Sequence, residues 1–274
     1  MTVIQTLQSS CPLTDVHAVA ARFPTLVAAC LHPENTIIEQ MAKCYFVSDL
    51  HLFANRSNAH RYLEEIALAA SHAEALVLGG DIFDFRWSRI PILRAVDRAA
   101  QWLRELASSC PRCEFHLVLG NHDYHRALID RLVELELELP NLSWHRYYVR
   151  LGSSVFLHGD VADKTMNARM LAEARDQWLD HRRRGPFMSA LYDVVVMTRL
   201  HKSVPHLVYA KRIVVRRILK YLESIGQGPG DGVRNVYFGH THRRMSNYHY
   251  RGLAFHNGGA PLKGMKFRII EVRR

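Results

Sequence analysis

The sequence predicts an α/β fold built on a largely parallel sheet, and three observations carry that prediction. From Lys43 onward, short apolar runs alternate with helix-like segments. Each of several apolar runs ends in a cluster of Asp, Asn, His and Gly. A helical, Arg- and Lys-rich insertion then precedes the last core strands. Strands alternating with helices imply right-handed crossovers and parallel neighbours.

The elements follow in order. Residues 1–40 read as an extension, with a helix from Asp15 to Leu31 whose Val16, Val19, Ala20, Phe23 and Val27 share one face. Cys44 to Val47 reads as a short buried strand, followed by a helix from Asn58 to Ala70. Ala75 to Leu78 forms the next strand and Ile92 to Ala107 the next helix. Phe115 to Leu119 is a third strand, and a helix covers Arg126 to Glu138. Shorter strands come next, at Leu142 to Arg146 and Val155 to Leu157. Residues 161–230 interrupt this rhythm with two or three helices, the longest from Leu207 to Ser224. Gly226 to Gly232, with Pro229 inside it, closes the interruption. The core resumes at Val236 to Phe238 and ends with strands at Ser246 to Tyr250, Leu253 to His256 and Lys266 to Val272. The domain reading is therefore a core of residues 41–160 and 231–274, split by the basic insertion.

Composition sets limits on function. At 274 residues and 48% hydrophobic content, the chain can bury a full core, and it contains no low-complexity tract. No basic segment leads into an apolar stretch near the start, and five cysteines form no evident disulfide framework, so the expected setting is cytoplasmic. The formal charge of +10 calls for an anionic partner: phosphate, nucleic acid or an acidic lipid surface.

Five stretches carry the chemistry: Asp49-Leu50-His51, Gly80-Asp81, Gly120-Asn121-His122-Asp123, His158-Gly159-Asp160 and Gly239-His240-Thr241-His242. Carboxylate, amide and imidazole donors at the carboxyl ends of strands are placed where α/β sheets gather ligands. Two divalent ions about 3.5–4 Å apart require a shared carboxylate, and Asp81 suits that bridge. Asp49 and His51, two apart on an extended strand end, are expected to point the same way toward one ion. His240 and His242 repeat the spacing, and Asn121 and His158 complete the second site. In the third stretch His122 is a candidate acid for a departing oxygen, with Asp123 beside it to orient and charge the imidazole. A hydroxide bridging the two ions is the expected nucleophile, attacking phosphorus in line.

These blocks resemble the calcineurin-like metallophosphoesterase superfamily, whose motifs run Asp-x-His, Gly-Asp, Gly-Asn-His-Asp/Glu, His and Gly-His-x-His. The resemblance spans residues 44–242. It implies two mixed sheets packed together with helices outside, so the fold class becomes α/β with paired mixed sheets and a helical insertion. It also implies one ion on Asp49, His51, Asp81 and His242, and another on Asp81, Asn121, His158 and His240. Mn2+ is the first expectation, with Fe, Zn, Co or Mg also suited to mixed nitrogen and oxygen donors.

Within the superfamily the chain is similar to bacterial UDP-2,3-diacylglucosamine pyrophosphohydrolases. The similarity lies in Ser48 to Leu52, Gly80 to Asp84, His158 to Asp160 and Gly239 to Arg243, together with the basic helical insertion. It implies hydrolysis of a nucleotide-linked lipid or sugar, with acyl chains held under the inserted helices. The best-known branch carries Arg where this chain carries His122, and this chain also has its N-terminal extension. Two other expectations stay open: a broader phosphodiesterase or phosphatase acting on nucleotides, phosphoproteins or nucleic acid, and a non-catalytic scaffold.

Other signals are local. Arg86 and Arg89 are candidates for a bidentate phosphate contact, Asp84 for a partner of a ligand histidine, and Asn257 for a pocket-lining role. Cys110-Pro111-Arg112-Cys113 lacks a second pair and reads as a loop. His116 and His145 read as structural. The insertion's long helix places Ile213, Val214, Ile218, Leu219 and Leu222 beside basic residues. It reads either as a cap packed on the core or as a lid lying on lipid or an anionic membrane.

Overall fold

The computed structural model describes residues 43–183 and 210–272. The helix expected at Asp15 to Leu31 and the part of the insertion between 184 and 209 lie outside the described residues. The strands are β1 (Cys44–Val47), β2 (Ala75–Gly79), β3 (Glu114–Val118), β4 (Leu142–His145), β5 (Tyr148–Leu151), β6 (Ser154–Leu157), β7 (Asn235–Phe238), β8 (Met245–Tyr250), β9 (Leu253–Asn257) and β10 (Ile270–Glu271). The α-helices are α1 (Leu63–Ser71), α2 (Ile92–Ser109), α3 (Arg126–Glu138), α4 (Ala168–Asp176) and α5 (Lys211–Ser224).

The strands form two mixed sheets, ordered β10-β1-β2-β3-β4 and β5-β6-β7-β9-β8. In the first, β1 to β4 are parallel and β10 adds an antiparallel edge, with Phe46 opposite both Val77 and Ile270. In the second, β6, β7 and β9 are parallel, so Phe156, Tyr237 and His256 lie in register. β5 and β8 close its two edges in antiparallel pairing.

The parallel strands read as continuous apolar runs because both of their faces are covered. Between the sheets, Phe46 meets Phe156 and Tyr237 at ring-centroid separations of 5.8 Å each, and Phe156 stacks on Tyr237 at 4.9 Å. Outside the first sheet, Ile66 of α1, Ala99 and Leu103 of α2, and Leu128 and Leu132 of α3 bury against Leu76 and Leu78. Outside the second, Val215, Ile218 and Leu222 of α5 cover Val155, Val236 and Phe255.

Several elements depart from expectation for local reasons. The segment after Asn58 starts as a 3-10 turn, Ala59–Arg61, before α1 begins at Leu63. Ser57 accepts from the Ala59 amide and donates to the Leu50 carbonyl, which fixes that entry. β5 was not anticipated; it is a four-residue edge strand carrying Arg150 and ending next to Gly152, so its apolar signal is short. The strand expected over Lys266 to Val272 reduces to Ile270–Glu271.

The described part of the insertion is built into the body of the protein. Val214, Val215, Ile218, Leu219, Tyr221 and Leu222 of α5 are all buried, whereas Arg212, Ile213, Arg216 and Lys220 face outward. Arg217 donates to the Ala162 and Asp163 carbonyls at 2.6 and 2.7 Å, pinning α5 to the turn after β6. α5 therefore packs its apolar side on the core, with Ile213 set apart from the apolar face to which its spacing assigned it. Truncating a buried Ile to Ala removes transfer energy and leaves a cavity. Ile218→Ala is expected to cost about 2–5 kcal/mol in urea unfolding, whereas a helix hinged off the core would leave the midpoint unchanged.

Candidate metal centre

All five motif segments leave the carboxyl ends of β1, β2, β3, β6 and β7 on the same rim. The ligand pairs do not converge by strand alternation, as the sequence suggested. Asp49 and His51 have φ of 54° and 47°, and Asp81, His240 and His242 have 52°, 61° and 52°. Left-handed backbone at non-glycine residues is sparsely populated and persists where surroundings enforce it. Here the enforcement is visible. The Asp49 and His51 amides donate to the Gly80 and Asp81 carbonyls at 3.0 and 2.9 Å. The His240 amide donates to Asp49 Oδ1, and the His122 amide to Asp81 Oδ1, each at 2.8 Å. Two glycines are set by close approach: a Cβ at Gly120 would stand 2.1 Å from Asp81 Oδ1, and one at Gly239 would stand 2.3 Å from Asp49 Oδ2.

The side chains gather in two groups that meet at Asp81. In one, His51 Nε2 lies 3.0 Å from His242 Nε2 and 3.9 Å from Asp81 Oδ2, and His242 Nε2 lies 3.5 Å from Asp49 Oδ1. In the other, His158 Nε2 lies 3.1 Å from Asn121 Oδ1, 3.2 Å from His240 Nδ1 and 3.4 Å from Asp81 Oδ2. Asp49, Asp81, His51, Asn121 and His158 are buried.

This donor set fits a pair of divalent cations. Imidazole nitrogens aimed at each other and at buried carboxylates are stable together only with positive charge or protons between them. Three clusters have donor atoms mutually within 4.8 Å: Asp49 with His51 and His242, His51 with Asp81 and His122, and Asp49 with Asp81 and His158. His158 Nδ1, buried with no hydrogen-bond partner among the described residues, leaves that ring committed through Nε2 alone.

A second layer of carboxylates orients the rings. Asp84 faces two of them, with Oδ2 at 3.3 Å from His51 Nδ1 and Oδ1 at 3.2 Å from His122 Nδ1. Asp163 Oδ1 lies 2.8 Å from His240 Nε2. The orienting contact expected of Asp123 is thus made by Asp84. Both Asp123 oxygens accept backbone amides instead, from Gly120 at 2.6 Å and Ile82 at 2.9 Å, tying the β3 loop to the β2 loop. Asn257 is fully buried and turned inward: it donates to the Gly239 carbonyl and accepts from the Gly259 amide, both at 2.8 Å. It braces the turn that carries His240 and His242.

Arg86 and Arg89 part company. The Arg86 guanidinium lies 4.6 Å over the ring of Trp178, which is itself 5.2 Å from the His122 ring. Arg89 is exposed on the rim, where its carbonyl accepts from Arg183. Sequence reasoning missed Trp178, Asp163 and Arg175, which lie in the irregular insertion with no motif around them. His116 and His145 share the Ser143 hydroxyl at 2.8 and 3.3 Å, and Cys110 and Cys113 are buried. These four match their structural expectation.

The protein's own charges prepare the centre. Burial, reinforced by Asp81, pushes Asp49 up to about 7. Burial and the neighbouring imidazoles hold His158 and His242 well below the usual histidine range. For His240, burial acts downward but Asp163 outweighs it and raises the ring to about 9. His122 likewise rises to about 9, because Asp84 and Asp81 overcome the effect of burial. Burial also opposes ionisation of Asp84, yet the facing His122 and His51 rings keep it well below the ordinary carboxylate range.

Residues 42–244 match the family model described as calcineurin-like phosphoesterase. The chain belongs to that family. It is accordingly a metal-dependent phosphoesterase, and calcineurin-like phosphoesterases use a dinuclear divalent metal centre. A UDP-2,3-diacylglucosamine hydrolase of Pseudomonas aeruginosa is 32% identical over 212 residues, covering 72% of this chain and 81% of that protein. Another of that name from Pasteurella multocida is 31% identical over 123 residues, 44% of this chain and 49% of its own length, so this second match spans about half of that relative. Among solved structures, phosphopantetheinyl hydrolase from Mycobacterium tuberculosis aligns with a TM-score of 0.41 at 16% identity, covering 82% of this chain and 92% of its own. A dimetal phosphatase from Danio rerio aligns at 0.42 and 11%, covering 83% and 91%.

Protons and metal ions compete for the same nitrogens and oxygens. At pH 7, His158 and His242 are already neutral, whereas His240 and Asp49 give up protons on binding. Metal affinity is therefore expected to rise with pH through the neutral range and to fall steeply below about pH 6. Calorimetry in buffers of different ionisation enthalpy measures the protons released. Metal content that is unchanged at pH 5 would contradict a centre held by four histidines.

Proposed function

We propose that this chain hydrolyses the pyrophosphate bond of a nucleotide-linked lipid or sugar, with UDP-2,3-diacylglucosamine as the model substrate. The observation that carries the reading is the complete donor set converging on Asp81, in a chain whose relatives bear that substrate's name. One ion is assigned to Asp49, His51, Asp81 and His242, the other to Asp81, Asn121, His158 and His240, with Mn2+ as the first metal to test. When bound, the two dications supply an activated water and neutralise charge on the phosphoryl oxygens.

The chain's own residues do the rest. Asp84 Oδ1 lies 3.2 Å from His122 Nδ1, and Nε2 is assigned as the ring atom for the leaving oxygen. The raised pKa of His122 keeps it a proton donor at neutral pH in the protein's own field. Trp178 lies against the imidazole, and Arg86, over the Trp178 ring, places a cation one ring beyond it. Arg86 is assigned to the second phosphate of a pyrophosphate, with Arg89 at the rim.

A broader phosphodiesterase is the second reading. His122, standing where the best-known diacylglucosamine branch has Arg, favours it. Setting and surface follow from charge. Among the described residues no helix is long and apolar enough to cross a membrane. The exposed Arg212, Arg216 and Lys220 of α5 are proposed to meet an anionic surface from the cytoplasmic side.

The test is a Mn2+-supplemented panel of UDP-2,3-diacylglucosamine, bis-p-nitrophenyl phosphate, p-nitrophenyl phosphate and nucleotides. Selective turnover of the UDP-lipid, abolished in Asp81→Ala, is the expected result. Diester turnover without lipid preference would replace the first reading by the second, and metal-dependent strand cleavage with steep salt sensitivity would indicate nucleic acid. Asp84→Asn is expected to lower turnover of unactivated substrates by roughly 10²–10⁴-fold, the usual worth of a positioned acid. It should affect p-nitrophenyl esters far less.

A further inference from the structure

The insertion sends one side chain beneath the centre. Arg175, near the end of α4, is only 1% exposed. Its Nη1 donates to the carbonyls of Leu119 and Gly120 at 2.9 and 2.8 Å, the two residues ahead of Asn121. The other edge of the guanidinium meets Asp160, two residues beyond His158, with Nε to Oδ2 at 2.5 Å and Nη2 to Oδ1 at 3.2 Å. Tyr124 packs against the group, its ring centroid 5.4 Å from Cζ.

One planar cation thereby fastens the β3 loop to the β6 loop. Those loops carry Asn121 Oδ1 and His158 Nε2, which face each other at 3.1 Å. Among the described residues, the hydrogen bonds of the Arg175 side chain go to neither the β1 loop nor the β7 loop. The donors unique to the other ion, Asp49, His51 and His242, come from those two loops.

We propose that Arg175 is a positioning residue for the ion assigned to Asn121 and His158, which makes the insertion a working part of the metal centre. This rests on the two-ion assignment above. A buried ion pair with a purely structural role would weaken both ions alike, or neither. A positioning role is asymmetric. Lysine keeps the charge but cannot span two carbonyls and a carboxylate, because its donors share one nitrogen.

The experiment titrates metal-free wild type, Arg175→Lys and Asp160→Asn with Mn2+, reading bound metal after dialysis and the electron paramagnetic resonance spectrum. Wild type is expected to hold two ions with a spin-coupled signal. Each variant is expected to keep one ion at near wild-type affinity and to bind the second roughly 10- to 100-fold more weakly, the usual cost of losing an outer partner. The coupled signal then gives way to the six-line pattern of isolated Mn2+. Circular dichroism establishes that the variants fold; if Arg175→Lys does not, Asp160→Asn decides. Wild-type binding of both ions, or equal weakening of both, overturns the proposal. Fewer than two ions on wild type overturns the two-ion assignment, and the inference with it.

Discussion

Asp81 sits where four loops meet, and the rest of the centre is arranged around its carboxylate. It leaves the central strand β2, accepts the His122 amide, and stands within 4 Å of ring nitrogens from the β1 and β6 loops. A negative charge buried to 2% exposure beside another buried carboxylate is costly to hold. The fold accepts that cost because a cation pair suits the same place. Loops from both sheets can converge there only because the sheets are already locked face to face through Phe46, Phe156 and Tyr237.

Strain is concentrated in the donors themselves. Asp49, His51, Asp81, His240 and His242 all adopt left-handed backbone, a conformation that costs of order 1–3 kcal/mol at each such residue. Amide hydrogen bonds between neighbouring loops, and glycines where loops come within a Cβ of a carboxylate, hold these residues in place. The donor geometry is thus a property of the packed rim as a whole.

Much of this was legible in the sequence, for a physical reason. Buried parallel strands must be apolar throughout, so β1, β2, β3 and β7 stand out as runs, and their ends mark the rim. The donor types were equally plain, since no other use gathers five such clusters at strand ends. What the sequence concealed was direction. Two residues apart on an extended strand share a face, but Asp49 and His51 converge through left-handed turns that composition does not announce. Asp123 and Asn257 look chemically ready, yet they spend their polar atoms on backbone amides and carbonyls. Arg175 is hidden in the opposite way: in an Arg-rich helical stretch, a buried guanidinium is indistinguishable from its solvated neighbours.

The order of the strands along the chain has a bearing on when the protein becomes competent. β7, which delivers His240 and His242, inserts in parallel between β6 and β9, more than seventy residues after β6 in the chain. Such long-range parallel pairing is slow to form, because loop closure must precede the contacts that reward it. Until β7 docks, the rim lacks His240 and His242, while most of the first sheet's outer core comes from residues before 145. The outer core of the first sheet and the finished rim therefore draw on different stretches of the chain. A rim with every donor in place exists only where these two distant stretches of the chain have met.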